Sequence, residues 1–260
     1  MKETTMSDSE LLESVTQIAL QAGKVILEVY ATDFSVRGKG DTSPVTEADE
    51  RAEIVILVAL AALTPGTPVV AEESVAAGRA PDIGRPGGRF WLVDPLDGTK
   101  EFISRNGEFT VNIALIEDGE PVLGVVLAPA LGRLFAGSRS IGAFVHDQAG
   151  RRPIRCRPVP DAGLTVAFSR SHGDAAELDE FLADRAVAHR VAAGSSLKLC
   201  LVATGEADLY PRLGRTMEWD IAAGHAVLAA AGGSVRRLDD GQPLRYGKPA
   251  FANPHFVAAG

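Results

Sequence analysis

The residues with the most chemistry to offer in this sequence are carboxylates placed where apolar segments end. The apolar run 68–71 leads straight into Glu72 and Glu73, and the run 90–93 leads into Asp94. Asp97 follows within Asp94-Pro95-Leu96-Asp97-Gly98-Thr99, and Asp220 opens a helical stretch after Trp219. Strand ends and helix starts are where layered α and β proteins build their sites. A residue before proline is pushed toward extended backbone, so Asp94 continues its strand. Pro95 fixes its own φ and Gly98 permits a geometry that other residues resist, so the turn folds Asp97 back toward Asp94. Carboxylates forced together repel unless a proton or a cation lies between them. An all-oxygen set suits a hard cation, and Mg²⁺ takes one or two carboxylates with water and substrate phosphate. The N–H groups of Gly98, Thr99 and Lys100 can face a phosphate oxygen if a helical turn starts there.

Each piece alone has an ordinary alternative. A D-P-x-D-G sequence is often only a surface turn. A Glu pair is commonly a solvated face, and a lone Asp at a helix start is commonly a cap. Those alternatives weaken together, because both the Glu pair and the Asp-Pro turn are delivered by apolar strands from a core.

The elements that must carry these groups can be read from periodicity. Ser7 and Glu10 have capping-box spacing, and apolar residues then recur at helical spacing, giving a helix over 8–30. Residues 33–45 read as a mobile loop, and a second helix runs from near Thr46, its N-cap, to Leu63. Residues 68–71 and 90–93 read as strands, with an exposed Gly-, Pro- and Arg-rich excursion over 76–89 between them. Residues 108–145 read as an antiparallel meander. Later come a strand at LTVAFS, a helix over 174–185, a strand at VAHRVAA, a helix over 195–204, a strand at ADLYP and a helix over 220–231. That alternation predicts a βαβ half. The expected organisation is an α+β half over 1–157 carrying most metal ligands, and an α/β half over 158–260 completing the metal site and substrate pocket.

Bulk properties exclude several classes. The formal net charge is −8, so a duplex nucleic-acid surface is not expected, and low aromatic content argues against single-strand stacking. An acidic chain that binds phosphate needs a local device, and bound cations supply one. Cys156 and Cys200 lack metal spacing and read as reduced apolar residues. His146, His172, His189, His225 and His255 show no ligand spacing either, and His225 reads as packing. The longest apolar run, 54–63, is too short to span a bilayer, and the N-terminus shows no secretory pattern. A cytoplasmic protein is expected, with at most peripheral contact with the inner membrane surface.

Taken in order, Asp49, Glu72-Glu73, the Asp94–Thr99 block and Trp219-Asp220-Ile221-Ala222-Ala223 resemble the lithium-sensitive, magnesium-dependent phosphatase superfamily of inositol monophosphatase and fructose-1,6-bisphosphatase. The resemblance covers about residues 8–257. The stretches WLVDPLDGTKEFISRNGEFTVNIALIEDG, GSSLKLCLVATGEADLYPR and EWDIAAGHAVLAAAGG are most similar to the 3′(2′),5′-bisphosphate nucleotidases of the CysQ type. Ala71 stands where many relatives have Gly.

The resemblance implies a layered α-β-α-β-α sandwich, and release of the 3′-phosphate of adenosine 3′,5′-bisphosphate to give AMP. It implies two Mg²⁺, with a third, weaker one. Glu72, Asp94 and the Leu96 carbonyl would hold the first ion, and Asp94, Asp97 and Asp220 the second. Asp49 and Thr99 would orient the attacking water, with Asp49 also near the third ion, and Glu73 would support from behind. Gly98, Thr99, Gly194, Ser195, Ser196, Lys198 and Arg212 would meet the substrate, although Ser195 and Ser196 also read as a helix N-cap, and Lys198 and Arg212 as surface charges. A phosphorylated nucleotide is the expected partner, with a homodimer as the assembly. Inositol monophosphate or fructose bisphosphate as substrate, and a catalytically silent Mg²⁺–nucleotide sensor, are the alternatives.

Overall fold

A computed structural model describes residues 6–38, 44–84, 88–170 and 175–260. Ser7 starts the first helix by the expected reciprocal cap: its hydroxyl takes the Glu10 N–H while the Glu10 carboxylate takes the Ser7 N–H at 2.9 Å. The helix, α1 (Asp8–Tyr30), buries Leu11, Leu12, Val15, Ile18, Ala22, Ile26 and Val29, a stripe at helical spacing. The same device starts α2 (Glu47–Leu63), capped by Thr46 with Asp49 reaching back. Between these helices the described parts of 33–45 form a ribbon, β1 (Val36–Gly38) against β2 (Pro44–Thr46), rather than the expected loop. Residues 39–43 of that loop lie outside the described residues.

The main sheet has seven strands in the order β3 (Val69–Ala71), β4 (Phe90–Asp97), β5 (Thr110–Glu117), β6 (Glu120–Ala128), β7 (Arg133–Ser138), β8 (Gly142–Asp147) and β9 (Gly150–Ile154). All neighbours are antiparallel except β3 and β4. Strand side chains alternate between faces. On β4, Trp91 and Val93 enter the core under α1 and α2, while Phe90 and Leu92 enter a second core on the other face. Both faces are covered, so the central strands read as continuous apolar runs rather than as alternating ones. The excursion after β3 has no regular structure over 79–84, and residues 85–87 lie outside the described residues.

The second sheet has five strands in the order β11 (Val187–Ala193), β10 (Leu164–Ser169), β12 (Leu209–Arg212), β14 (Phe256–Ala259), β13 (Ser234–Arg237). β10, β11 and β12 run parallel, as the alternating pattern predicts. The antiparallel pair β13 and β14 closes the far edge, so this half is mixed rather than purely alternating. The expected 174–185 helix appears as α5 (Ala175–Leu182), which gives way to a turn before residue 185, and residue 174 lies outside the described residues.

Between the sheets lie α6 (Leu197–Ala203) and α7 (Glu218–Ala230), whose apolar residues join the second core with Tyr210, Phe256 and the inner side of the main sheet. α7 is apolar nearly all round and buried, as a helix enclosed by two sheets must be. It seats closely on β6 because Gly124 leaves the space: a Cβ there would lie 2.4 Å from the Ala223 carbonyl oxygen. The layers are therefore helix, seven-stranded sheet, helix, five-stranded sheet, with α5 beyond. Among the described residues no helix is long and apolar enough to cross a membrane.

Candidate active site

A cavity of about 350 Å³ opens where β4 ends, α7 begins and the two sheets meet. Glu72, Asp94, Asp97 and Asp220 all line it, together with Leu96, Gly98, Thr99, Ser195, Lys198 and Arg212. Three elements deliver the four carboxylates. Glu72 comes from a short helix, α3 (Glu72–Ala76), which begins where the sequence suggested only a strand end. Its start is held by Glu53 of α2, whose buried carboxylate accepts the Glu73 N–H at 2.8 Å and the Ser74 hydroxyl at 2.6 Å.

Asp94 and Asp97 reach the same cavity because β4 bulges between them. Asp94 pairs with Asn112 and Asp97 with Thr110, so three steps on β4 match two on β5. Without the extra residue an odd separation would place the two acids on opposite faces. The Asp94 carboxylate accepts the Leu96 N–H at 3.0 Å, tying the Pro95 turn. Leu96 lines the cavity while its side chain is packed in the core under α1 and α2, so its backbone is what faces inward. Gly98 follows with φ +90°, in the left-handed region, and caps α4 (Thr99–Ile103), the helical turn anticipated after the acids.

Asp220 sits in the first turn of α7, where its carboxylate accepts the Met217 N–H at 2.9 Å. Asp49 does not line the cavity itself. Its carboxylate accepts the Thr99 hydroxyl at 3.3 Å and is fixed by the Thr46 N–H at 2.9 Å and hydroxyl at 2.7 Å. Thr99 thus stands between Asp49 and the cavity.

The electrostatics of the acids are those of a site made for a cation. Burial pushes Asp97 up to about 6, against the pull of Lys198, with Glu72 and Glu101 adding repulsion. Burial pushes Asp220 well above the usual carboxylate range, and Asp97 and Glu72 add to it. Among the described residues no three His, Cys, Asp or Glu side chains are already drawn together as tightly as a bound ion requires. Four oxygen donors sharing one cavity, two of them made costly to ionise by burial and mutual repulsion, nevertheless fit a hard divalent cation.

The cationic groups are also buried. Lys198 is pushed down to about 8 by burial, opposed by Asp97, and donates to the carbonyls of Ala193, at 3.1 Å, and Ser195. Arg212 gives one N–H to the Arg215 carbonyl at 2.8 Å, while its Nε is buried with no partner among the described residues. Neither is the surface charge that the sequence also allowed.

Two expected substrate residues stand elsewhere. Gly194 and Ser196 do not line the cavity. Ser196 is buried behind it, donating to Asn112 at 2.6 Å, and makes no side-chain cap for α6. Ser195 does line it, but its hydroxyl lies 2.8 Å from the Asp97 carbonyl and 2.7 Å from that of Glu108. Glu73 does not line the cavity, and His172 lies outside the described residues.

Asn112 and Glu53 were not singled out from sequence, although each carried a signal. Asn112 is a polar residue set inside the apolar run 111–116, and Glu53 falls one helical turn after Asp49.

The chain belongs to the inositol monophosphatase family, whose sequence model matches residues 7–259. Within that family it is similar to the 3′(2′),5′-bisphosphate nucleotidase CysQ of Escherichia coli K12, at 47% identity over 95% of this chain and 98% of the relative. Among solved structures it resembles CysQ of Bacteroides thetaiotaomicron, at TM-score 0.80 and 36% identity over 96% of each chain. It also resembles an inositol monophosphatase from Anabaena, at TM-score 0.74 and 27% identity over 96% of this chain and 90% of the other.

Proposed function

We propose that this chain is a Mg²⁺-dependent 3′(2′),5′-bisphosphate nucleotidase that hydrolyses the 3′-phosphate of adenosine 3′,5′-bisphosphate to give AMP and phosphate. The observation that carries the reading is the convergence of Glu72, Asp94, Asp97 and Asp220 on one cavity that also holds Lys198 and Arg212. A bisphosphorylated substrate brings more negative charge than one phosphate group, and a site with both a cation-binding acid set and two buried basic side chains matches it. The similarity to nucleotidases at 47% identity over nearly the full length supports this substrate over an inositol or sugar phosphate.

Glu72, Asp94 and the Leu96 carbonyl would hold one Mg²⁺, and Asp94, Asp97 and Asp220 a second, with Asp94 shared. Asp49 is the candidate for a third, weaker ion. When bound, such ions supply a water acidic enough to attack near neutral pH and neutralise charge on the leaving oxygen.

The protein's own part is positioning. Asp49 holds the Thr99 hydroxyl by a hydrogen bond, so that hydroxyl is oriented to present its lone pairs to a water in the cavity. Gly98 and Thr99 line the cavity at the start of α4, where backbone N–H groups can meet a phosphate oxygen. Arg212 offers its unpartnered Nε to the second phosphate, and Lys198 adds a buried positive charge beside Asp97. No side chain need form a covalent intermediate. Hydrolysis in H₂¹⁸O with adenosine 3′,5′-bisphosphate tests this: AMP with label in the released phosphate is expected. Adenosine 3′-phosphate as product, or a trapped phosphoenzyme, contradicts it.

A further inference from the structure

Glu108, in the connection from α4 to β5, is not one of the residues lining the cavity. Its carboxylate nevertheless accepts the Gly194 N–H at 2.8 Å, and its carbonyl lies 2.7 Å from the Ser195 hydroxyl. Arg170, just past β10, grips the same carboxylate as a fork, Nη2 to Oε1 at 2.9 Å and Nε to Oε2 at 3.2 Å. The Arg170 guanidinium also reaches the Ala192 carbonyl at 3.2 Å. Arg170 and Gly194 follow strands of the second sheet, whereas Asp97 ends β4 and Glu108 precedes β5 in the first. The four residues therefore span the two sheets beside the cavity.

The fit at this point is close. A Cβ on Gly98 would lie 2.3 Å from the Ser195 hydroxyl oxygen, and one on Gly194 would lie 2.6 Å from the Glu108 carbonyl oxygen. Ser195 itself has φ +47°, a conformation that side-chain-bearing residues hold only when surrounding structure enforces it. Its single hydroxyl proton is shared between the carbonyls of Asp97 and Glu108, which links Ser195 to the turn that carries Asp97.

We propose that Glu108 and Arg170 are positioning residues: they clasp the Gly194–Ser195 turn against the Asp97–Gly98 turn and so fix the placement of the Asp97 carboxylate. The inference rests on the phosphatase reading for its effect on turnover. Its effect on the acid cluster does not depend on which substrate is used. The Arg170 side chain is 48% exposed, so the ion pair adds little to global stability while setting local geometry.

The test compares wild type with Glu108→Ala, Glu108→Gln, Arg170→Ala and the double variant Glu108→Ala/Arg170→Ala. The readouts are kcat and KM on adenosine 3′,5′-bisphosphate, Mg²⁺ binding by titration calorimetry, and Tm. A misplacement of about 1 Å in a catalytic group can cost about 10²-fold, so kcat in Glu108→Ala should fall roughly 10- to 100-fold. Mg²⁺ should bind several-fold more weakly, with KM and Tm little changed. Glu108→Gln keeps an acceptor for the Gly194 N–H and should recover most of the loss. The double variant should be no worse than Glu108→Ala, because the pair acts as one unit.

Mg²⁺ binding and kcat within twofold of wild type in Glu108→Ala overturns the proposal. So does a loss of activity that tracks a fall in Tm and is not rescued by Glu108→Gln. If the wild type releases no phosphate from any substrate, the phosphatase reading fails, and the calorimetry alone still decides the clasp.

Discussion

Asp94 and Asp97 face the same cavity because Asp94 stands opposite Asn112 and Asp97 opposite Thr110, a bulge of one residue formed at Pro95 and Leu96. The bulge turns an odd spacing into a same-face pair, and Asn112 Nδ2 then reaches Asp97 at 3.4 Å. Burial makes Asp97 costly to ionise, and Asp220, from the adjoining helix, is raised by its own burial and by Asp97 and Glu72.

Asp94→Asn should leave the protein folded and remove its activity. The residue is buried and would be shared between both ions, and a bound metal contributes several kcal/mol to the transition state, so kcat should fall on the order of 10³-fold or more. Initial rates with a matched thermal melt check this. Residual activity within tenfold of wild type contradicts the shared role.

Gly98→Ala should damage both stability and turnover. The position has φ +90°, and a Cβ would meet the Ser195 hydroxyl at 2.3 Å. A left-handed backbone on a side-chain-bearing residue costs roughly 1–3 kcal/mol, before the displaced serine is counted. Urea unfolding with a paired rate measurement reads both effects, and an unchanged midpoint would be inconsistent with the observed backbone.

Mg²⁺ should stabilise the fold, because it binds the assembled acid cluster and not the unfolded chain. At a free concentration of about 100 Kd the expected gain is about 2.7 kcal/mol. Melts in EDTA and in rising Mg²⁺ measure it. The gain should shrink in Asp220→Asn, and equal gains in both proteins would exclude Asp220 from the site.

His225 sets a pH-dependent part of stability. It is buried on α7, its Nδ1 lies 2.9 Å from the Tyr246 hydroxyl, and burial lowers it to about 4. The unfolded chain then takes up a proton that the folded one refuses. Stability is full above the ordinary histidine value near 6.5 and falls as pH drops toward 4, by about 3 kcal/mol. His225→Gln should flatten that difference when unfolding free energies are compared across this range. An identical acid slope in the variant would assign the loss to other groups.

Local rules recovered what local physics decides. The capping pairs Ser7–Glu10 and Thr46–Asp49 give the starts of α1 and α2 directly, and the Gly-Thr junction gives the start of α4, whereas β4 runs on past the expected 90–93 through Pro95 to Asp97. The four carboxylates stood out because apolar strands end or helices begin at them. What escaped depends on tertiary partners. Glu72 and Glu73 open a helix because Glu53 of α2 caps it, a contact 20 residues away in sequence. Ser195 and Ser196 resemble a plain helix cap until β5 and the Asp97 turn claim their hydroxyls. β9 was not singled out because its exposed residues, Arg151, Arg152 and Pro153, give an edge strand no apolar face. β14 pairs with β13 and with β12, both across long stretches of chain.

The central claim is tested most directly by kcat/KM for adenosine 3′,5′-bisphosphate, inositol 1-phosphate and fructose 1,6-bisphosphate, each with and without Mg²⁺. Contact of Arg212 with a second phosphate predicts a preference for the adenosine bisphosphate over inositol 1-phosphate, about 10-fold or more if that charge-assisted contact adds about 1.5–3 kcal/mol. That activity should vanish in EDTA and return with Mg²⁺. Equal or better turnover of inositol 1-phosphate would contradict the nucleotidase assignment while leaving the acid cluster intact, and Mg²⁺-independent release would contradict the mechanism itself.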